Sequence, residues 1–270
     1  MSGRLSGKVA VVTGSGGAGL GRAGARLFAA EGARVVVLDV SEDGTEETVR
    51  LIRDQGGEAI GVPTDVTDLD AVRRMADRAL SSFGGIDILW NNAAILNNRH
   101  VPAEDISTED WNETFAVNVT GYFHCVKAVV PHMKARQAGT ILSTGSLAAL
   151  TALSPGFMHY AASKAAVVQM TRWLAAELGP FNIRVNCLAG GGIQGPGGAW
   201  KGPFLPPPQE SPFGGLPARI PSAMPATEAT RWPSVAEFAY GALYLVDPAA
   251  GPVTGVVLPV DGGRTSRAFA

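Results

Sequence analysis

Seven short runs rich in β-branched residues recur along the chain, separated by stretches with helical spacing and polar faces. The runs are Lys8–Thr13, Arg34–Asp39, Glu58–Val62, Ile86–Trp90, Thr140–Ser143, Ile183–Leu188 and Val256–Val260. They are nearly continuously apolar instead of alternating, which is the pattern of strands covered on both faces. Among the intervening stretches, Asp68–Phe83 carries its own punctuation, with Asp68 as N-cap and Gly84 as stop. Strand–helix alternation of this kind predicts an α/β architecture: one doubly wound parallel sheet of about seven strands flanked by helices. At 270 residues the chain can bury a large core as a single domain spanning residues 1–270.

The pattern fails once. Between Gly195 and Pro233 lie ten of the 18 prolines, together with Trp200, Phe204, Phe213, Met224 and Trp232. A loop of this length without periodicity is uncommon inside a compact domain, and a plain solvent linker seldom carries so many large apolar groups. Residues 195–233 are therefore expected to form a Pro/Gly-rich substrate lid, with a subunit-contact segment or a plain loop as the alternatives.

Charge narrows the range of partners. Lys+Arg 22 against Asp+Glu 24 leaves no basic field for nucleic acid or an anionic membrane. Cys125 and Cys187 have neither zinc nor redox spacing and read as buried thiols; His100, His124, His132 and His159 lack ligand spacing, so no metal is expected. The apolar run near the N-terminus is too short for a signal peptide. The longest uncharged stretch, Gln137–Ser163, is broken by Ser, Thr, Gly and Pro. A soluble cytoplasmic protein is the expectation.

Two clusters carry chemistry. The first strand runs into Thr13-Gly14-Ser15-Gly16-Gly17-Ala18-Gly19-Leu20-Gly21, followed by a helix-like stretch. Glycines there allow a tight turn and close backbone approach, and the helix N-terminus offers free N–H groups to a pyrophosphate. Asp39 closes the second strand, where a carboxylate would accept hydrogen bonds from an adenosine ribose and repel a 2′-phosphate. No Lys or Arg stands at Ser15, Gly16 or Val40, which favours NAD over NADP. In the second cluster, Tyr160 and Lys164 are spaced i and i+4 in a helix expected over about Gly156–Leu178, so they share one face. A cation beside a phenol stabilises the phenolate and lowers its pKa.

With Asp65-Val66, Asn91-Asn92-Ala93-Ala94, Asn118, Ser146, Ile183-Arg184-Val185-Asn186 and Val260-Asp261-Gly262-Gly263 in order along the chain, the sequence resembles the short-chain dehydrogenase/reductase family from Leu5 to Thr265. The resemblance implies a Rossmann-like fold and hydride transfer between NAD and a secondary alcohol or ketone. Tyr160 would be the general acid/base, and Lys164 would lower its pKa and hold the nicotinamide ribose. Ser146 would hydrogen-bond the substrate oxygen. Asn118 would disrupt its helix and hold a water linked to Lys164. Gly14, Ser15, Gly19, Leu20, Gly21, Asp39, Asp65, Val66, Asn92, Ala93 and Ile193 would line the cofactor site with Tyr160 and Lys164. A homotetramer built through helices near Asn112–Ala135 and Gly156–Leu178 and the last strand is also implied.

The chain departs from the family in three places. The Gly-rich turn has one residue more than usual between Gly14 and Gly19. The Ser146-to-Tyr160 spacing is also one longer, which predicts a bulge and leaves Ser143 as a rival for the serine role. Gly190-Gly191 and Gly195 stand where the family has Pro-Gly and Thr. The apolar, aromatic side chains of the lid and the absence of charged residues near Gly190–Gly198 suggest an uncharged, bulky substrate, cyclic or aromatic. An NADPH-dependent reductase and a non-catalytic dinucleotide-binding module are the alternatives.

Overall fold

The structure, a computed structural model, describes residues 3–97, 101–152, 156–191 and 232–267. Within them, seven strands form one sheet in the order β3-β2-β1-β4-β5-β6-β7, all neighbours parallel. The strands are β1 (Val9–Thr13), β2 (Arg34–Asp39), β3 (Glu58–Pro63), β4 (Ile88–Asn91), β5 (Gly139–Thr144), β6 (Ile183–Gly190) and β7 (Val257–Val260). The helices are α1 (Leu20–Ala30), α2 (Glu42–Arg53), α3 (Leu69–Phe83), α4 (Thr108–Phe115), α5 (Gly121–Arg136), α6 (Met158–Leu178) and α7 (Val235–Val246). The doubly wound parallel sheet of seven strands expected from the sequence is the one found.

Alternate strand residues supply two cores. Ala10, Val12, Val35, Val37, Ile88, Trp90 and Leu142 pack with Phe28 of α1, Ile52 of α2 and Phe238 of α7. Val9, Val11, Val36, Leu38, Leu89 and Ile141 pack on the other face with Met75 of α3, Val129 and Met133 of α5 and Leu178 of α6. Two buried faces explain the unbroken apolar runs. Cys125 and Cys187 are free and buried.

Local punctuation holds where it was read. The Asp68 carboxylate accepts from the N–H groups of Asp70 and Ala71, and Gly84 ends α3 in the left-handed region at φ 77. The C-terminal Asp261-Gly262-Gly263 forms a tight turn, in which Asp261 accepts from the N–H groups of Gly263 and Thr265. The lid expected at 195–233 lies outside the described residues except for Trp232 and Pro233, as do Ile193, Gly195 and His100. The Arg264 guanidinium stacks 3.7 Å from the Trp232 ring centre. Among the described residues, no helix is long and apolar enough to cross a membrane.

The strand order reverses between β1 and β4, which opens a crevice at the carboxyl edge. Its depth depends on how closely α1 approaches the sheet. A Cβ added at Gly24 would run into the buried Trp90 ring. Gly24→Ala should therefore destabilise the protein by about 1–3 kcal/mol through overpacking, measured by urea denaturation; an unchanged midpoint would mean that α1 sits farther from β4.

Candidate active site

At the crevice, β1 ends in Thr13, whose hydroxyl accepts from the N–H groups of Asn92 (2.8 Å) and Ala93 (2.9 Å) just beyond β4. Gly14 follows at φ 64, where a Cβ would stand 2.7 Å from the Ala93 Cα. Glycine is required there both by conformation and by space. The Asn92 side-chain amide donates to the carbonyls of Thr13 (3.0 Å) and Gly14 (3.2 Å), which binds the two strand ends into one wall.

Ser15 turns into the fold. It is fully buried; its N–H donates to the Leu38 carbonyl and its hydroxyl to the Val12 carbonyl at 2.7 Å. The turn directs this residue inward, so the polar hydrogens of Ser15 serve the fold. The exposed part of the turn is Gly17–Gly19, and a Cβ at Gly17 or Gly19 would meet only open space. Gly19 begins α1 without a side-chain cap, and the first helical turn holds no acidic residue. The first N–H groups of α1 and the partial positive charge of its N-terminus are thus groups that could hold a pyrophosphate.

Asp39, at the end of β2, accepts from the Gly16 N–H (2.9 Å) and the Ser41 N–H (3.1 Å). Arg22, which the sequence reading passed over, stands behind the turn. Its guanidinium donates to the Gly16 carbonyl and to the Thr48 hydroxyl, tying the turn to α2. Asp65 is exposed and accepts from the Thr67 N–H and hydroxyl. Val66 is buried, with its carbonyl on the His124 ring.

The opposite wall comes from α5, α6 and the end of β5. Residues Ala116–Thr120 form a π-helical turn with Asn118 at its centre, fully buried. Such a bulge re-aims a side chain out of the helix. The Asn118 amide is held at both ends: Oδ1 accepts from the Ile95 N–H (2.8 Å), while Nδ2 donates to the Ile95 carbonyl and the Ser163 hydroxyl, both at 3.0 Å. Its described partners are thus the loop after β4 and α6, not Lys164. The Ser163 hydroxyl donates to the Tyr160 carbonyl, and the His159 ring meets the Asn97 carbonyl at 2.8 Å. Together these bonds strap the 95–97 segment to the first turns of α6.

Tyr160 is half-buried, its ring edge-on to Phe157 with centroids 6.4 Å apart. Lys164 is fully buried, and its Nζ lies 5.7 Å from the centre of the Tyr160 ring. The ammonium donates to the Thr144 carbonyl at 2.8 Å and to the Tyr122 hydroxyl at 3.3 Å. Tyr122 was not foreseen, although it lies one turn after Asn118 on the same helical face. Burial pushes the Lys164 pKa down to about 8, and burial also raises that of Tyr122 well above the usual phenol value.

Ser146 lies just past β5 and starts a short 3₁₀ turn, Leu147–Ala149, its Oγ accepting from the Ala148 N–H at 3.1 Å. Ser143 sits within β5, in register with Asn91 and Cys187. Of the two serines, Ser146 is the one beyond the strand end. The 3₁₀ turn lies between Ser146 and Tyr160; residues 153–155 of that segment are outside the described set.

A family model described as short chain dehydrogenase matches residues 8–199. A 2,5-dichloro-2,5-cyclohexadiene-1,4-diol dehydrogenase of Sphingobium indicum is 37% identical over 265 residues, covering 97% of this chain and 98% of its own. A cis-4-hydroxycyclohexanecarboxylate dehydrogenase of Sinomonas cyclohexanicum is 35% identical, covering 96% and 97%. A solved structure of a 7α-hydroxysteroid dehydrogenase with NADH and 7-oxo glycochenodeoxycholic acid superimposes with a TM-score of 0.81 at 34% identity, covering 97% and 95%.

The buried ammonium has a stability cost with a defined pH window. A lysine whose folded-state pKa is depressed to about 8 from 10.5 destabilises the fold fully below pH 8, and the penalty fades as pH rises to 10.5. The cofactor-free Lys164→Met variant should therefore gain stability relative to wild type at pH 7. That difference should shrink by about 2–3 kcal/mol at pH 10, measured by urea denaturation. A difference independent of pH would mean that Lys164 is solvated.

Proposed function

The chain belongs to the short-chain dehydrogenase family, and from that premise we propose that it is an NAD-dependent dehydrogenase/ketoreductase acting on a secondary alcohol or ketone of an uncharged, bulky, cyclic molecule. The observation that carries the chemistry is the buried Lys164 ammonium 5.7 Å from the ring of the half-buried Tyr160, on the edge where the Gly-rich turn opens.

The bound dinucleotide supplies the hydride donor or acceptor. Tyr160 Oη takes the proton from the alcohol or returns it to the ketone oxygen. The Lys164 charge favours the phenolate in a site where burial strengthens the interaction, and Lys164 also holds the nicotinamide ribose hydroxyls. The Ser146 hydroxyl donates to the substrate oxygen and stabilises the charge that develops there. Asn118 positions Tyr160 and Lys164 through Ser163 and fixes the Ile95 backbone across the cleft. At the other end, Gly14, Gly19, Leu20 and Gly21 receive the pyrophosphate and Asp39 the adenosine ribose. Asp65 and Val66 flank the adenine, and Asn92 and Ala93 form the floor.

Asp39 favours NAD because its carboxylate would repel a 2′-phosphate. Arg22 does not offset it, being engaged by the Gly16 carbonyl and Thr48. The cyclic substrate is favoured by relatives whose names denote ring-borne alcohols. A homotetramer is supported by the exposed Phe123 and Trp173 on α5 and α6 and by Tyr240, Tyr244 and Val256 near the last strand.

Tyr160→Phe should lower kcat for ketone reduction by about 10²–10⁴-fold while NADH binding, followed by fluorescence titration, stays unchanged. In the same titration wild type should bind NADH more tightly than NADPH. Full turnover by the variant would remove the acid/base assignment, and tighter NADPH binding would remove the choice of NAD.

A further inference from the structure

Both walls of the cleft meet at one residue that no motif marks. Thr144, the last residue of β5, is buried, and its two oxygen atoms serve different halves of the site. Its carbonyl accepts from Lys164 Nζ at 2.8 Å and from the Tyr122 hydroxyl at 3.3 Å. Its hydroxyl accepts from the Trp90 indole N–H at 2.9 Å and donates to Asn92 Oδ1 at 3.1 Å. The other end of the Asn92 amide donates to the carbonyls of Thr13 and Gly14. With a donor fixed at Oδ1 and acceptors fixed at Nδ2, the amide has a single satisfied orientation.

We infer that Thr144 is a positioning residue that sets the distance between the catalytic ammonium and the dinucleotide-binding turn, a role that rests on the functions proposed above for Lys164, Asn92 and Gly14. The residue joins three strand ends through hydrogen bonds inside the core, where each bond is strong and each lost partner is felt. Its hydroxyl is the only part of the link that a side-chain substitution can remove; the carbonyl that holds Lys164 remains in every variant. Removing the hydroxyl leaves the Trp90 indole N–H and Asn92 Oδ1 without this partner, so the Asn92 amide is held from its Nδ2 end alone and the donor to the Gly14 carbonyl is less firmly fixed. The expected defect therefore appears at the cofactor turn, on the far side of the sheet's switch point from the lysine.

The test compares Thr144→Val, which keeps the shape and loses the hydroxyl, with Thr144→Ser, which keeps the hydroxyl. Thr144→Val should weaken NADH binding about tenfold by fluorescence titration and lower kcat well below its melting temperature, with the substrate KM at saturating cofactor unchanged. Thr144→Ser should restore NADH binding and kcat. If Thr144→Val does not fold, Thr144→Ala removes the same hydroxyl and carries the same expectation. Wild-type NADH affinity and kcat in the hydroxyl-less variant, with only a lower melting temperature, would overturn the inference, as would a Thr144→Ser variant equally impaired. Tyr160→Phe, assayed alongside, keeps the two questions apart. An active Tyr160→Phe defeats the catalytic reading, whereas an inactive one beside an unimpaired Thr144→Val defeats only the role of Thr144.

Discussion

Because all seven strands run in the same direction, the residues that end β1, β2, β4 and β5 are delivered to one edge of the sheet. Thr13, Asp39, Asn91 and Thr144 are far apart in the chain, yet the register makes them neighbours: Ser143 pairs with Asn91, Val12 with Trp90 and Leu38 with Thr13. The same directionality points the N-terminus of α1 at that edge. The site is thus a consequence of sheet polarity, and its polar network is the continuation of the strand ladder by side chains.

Burial determines what this edge can do. A fully buried ammonium is costly unless hydrogen-bonded, and among the described residues Lys164 finds a carbonyl and a phenol. In the cofactor-free protein the lysine is therefore held in tension with stability, poised by a pKa of about 8. A site that accepts this cost has a use for the charge, as functional residues of marginal stability commonly do. On the other wall the polar groups are satisfied by local geometry: the Gly16 N–H by Asp39 and the Gly16 carbonyl by Arg22.

What could be read from the sequence follows the range of the interactions. The ends of α3 were legible because Asp68 and Gly84 act on their own backbone. The first strand of the unit, the Gly14 turn and the Tyr160/Lys164 spacing were likewise local. The bounds of β4 were not: the apolar run suggested Ile86–Trp90, whereas pairing of Ile88 with Ala10 and Thr140 sets the strand at Ile88–Asn91. Helix α6 starts at Met158, after Gly156 at φ 100. Family resemblance places Ser15 among the cofactor contacts; its hydroxyl reaches back to the Val12 carbonyl, a bond that the sequence does not signal. Thr144 was invisible, since its partners Trp90, Asn92 and Lys164 lie 20 to 54 residues away. Family resemblance filled part of that gap for Asn118 and Ser146 and none of it for Thr144, Tyr122 or Arg22.

The central claim is that phenol and ammonium converge on a dinucleotide lying across this edge. A crystal structure of the protein with NADH tests it most directly. The account predicts Lys164 Nζ within hydrogen-bond distance of the nicotinamide ribose hydroxyls, about 2.7–3.2 Å, with Tyr160 Oη facing the nicotinamide. A dinucleotide bound elsewhere, or Tyr160 turned to bulk solvent with the cofactor in place, would contradict it.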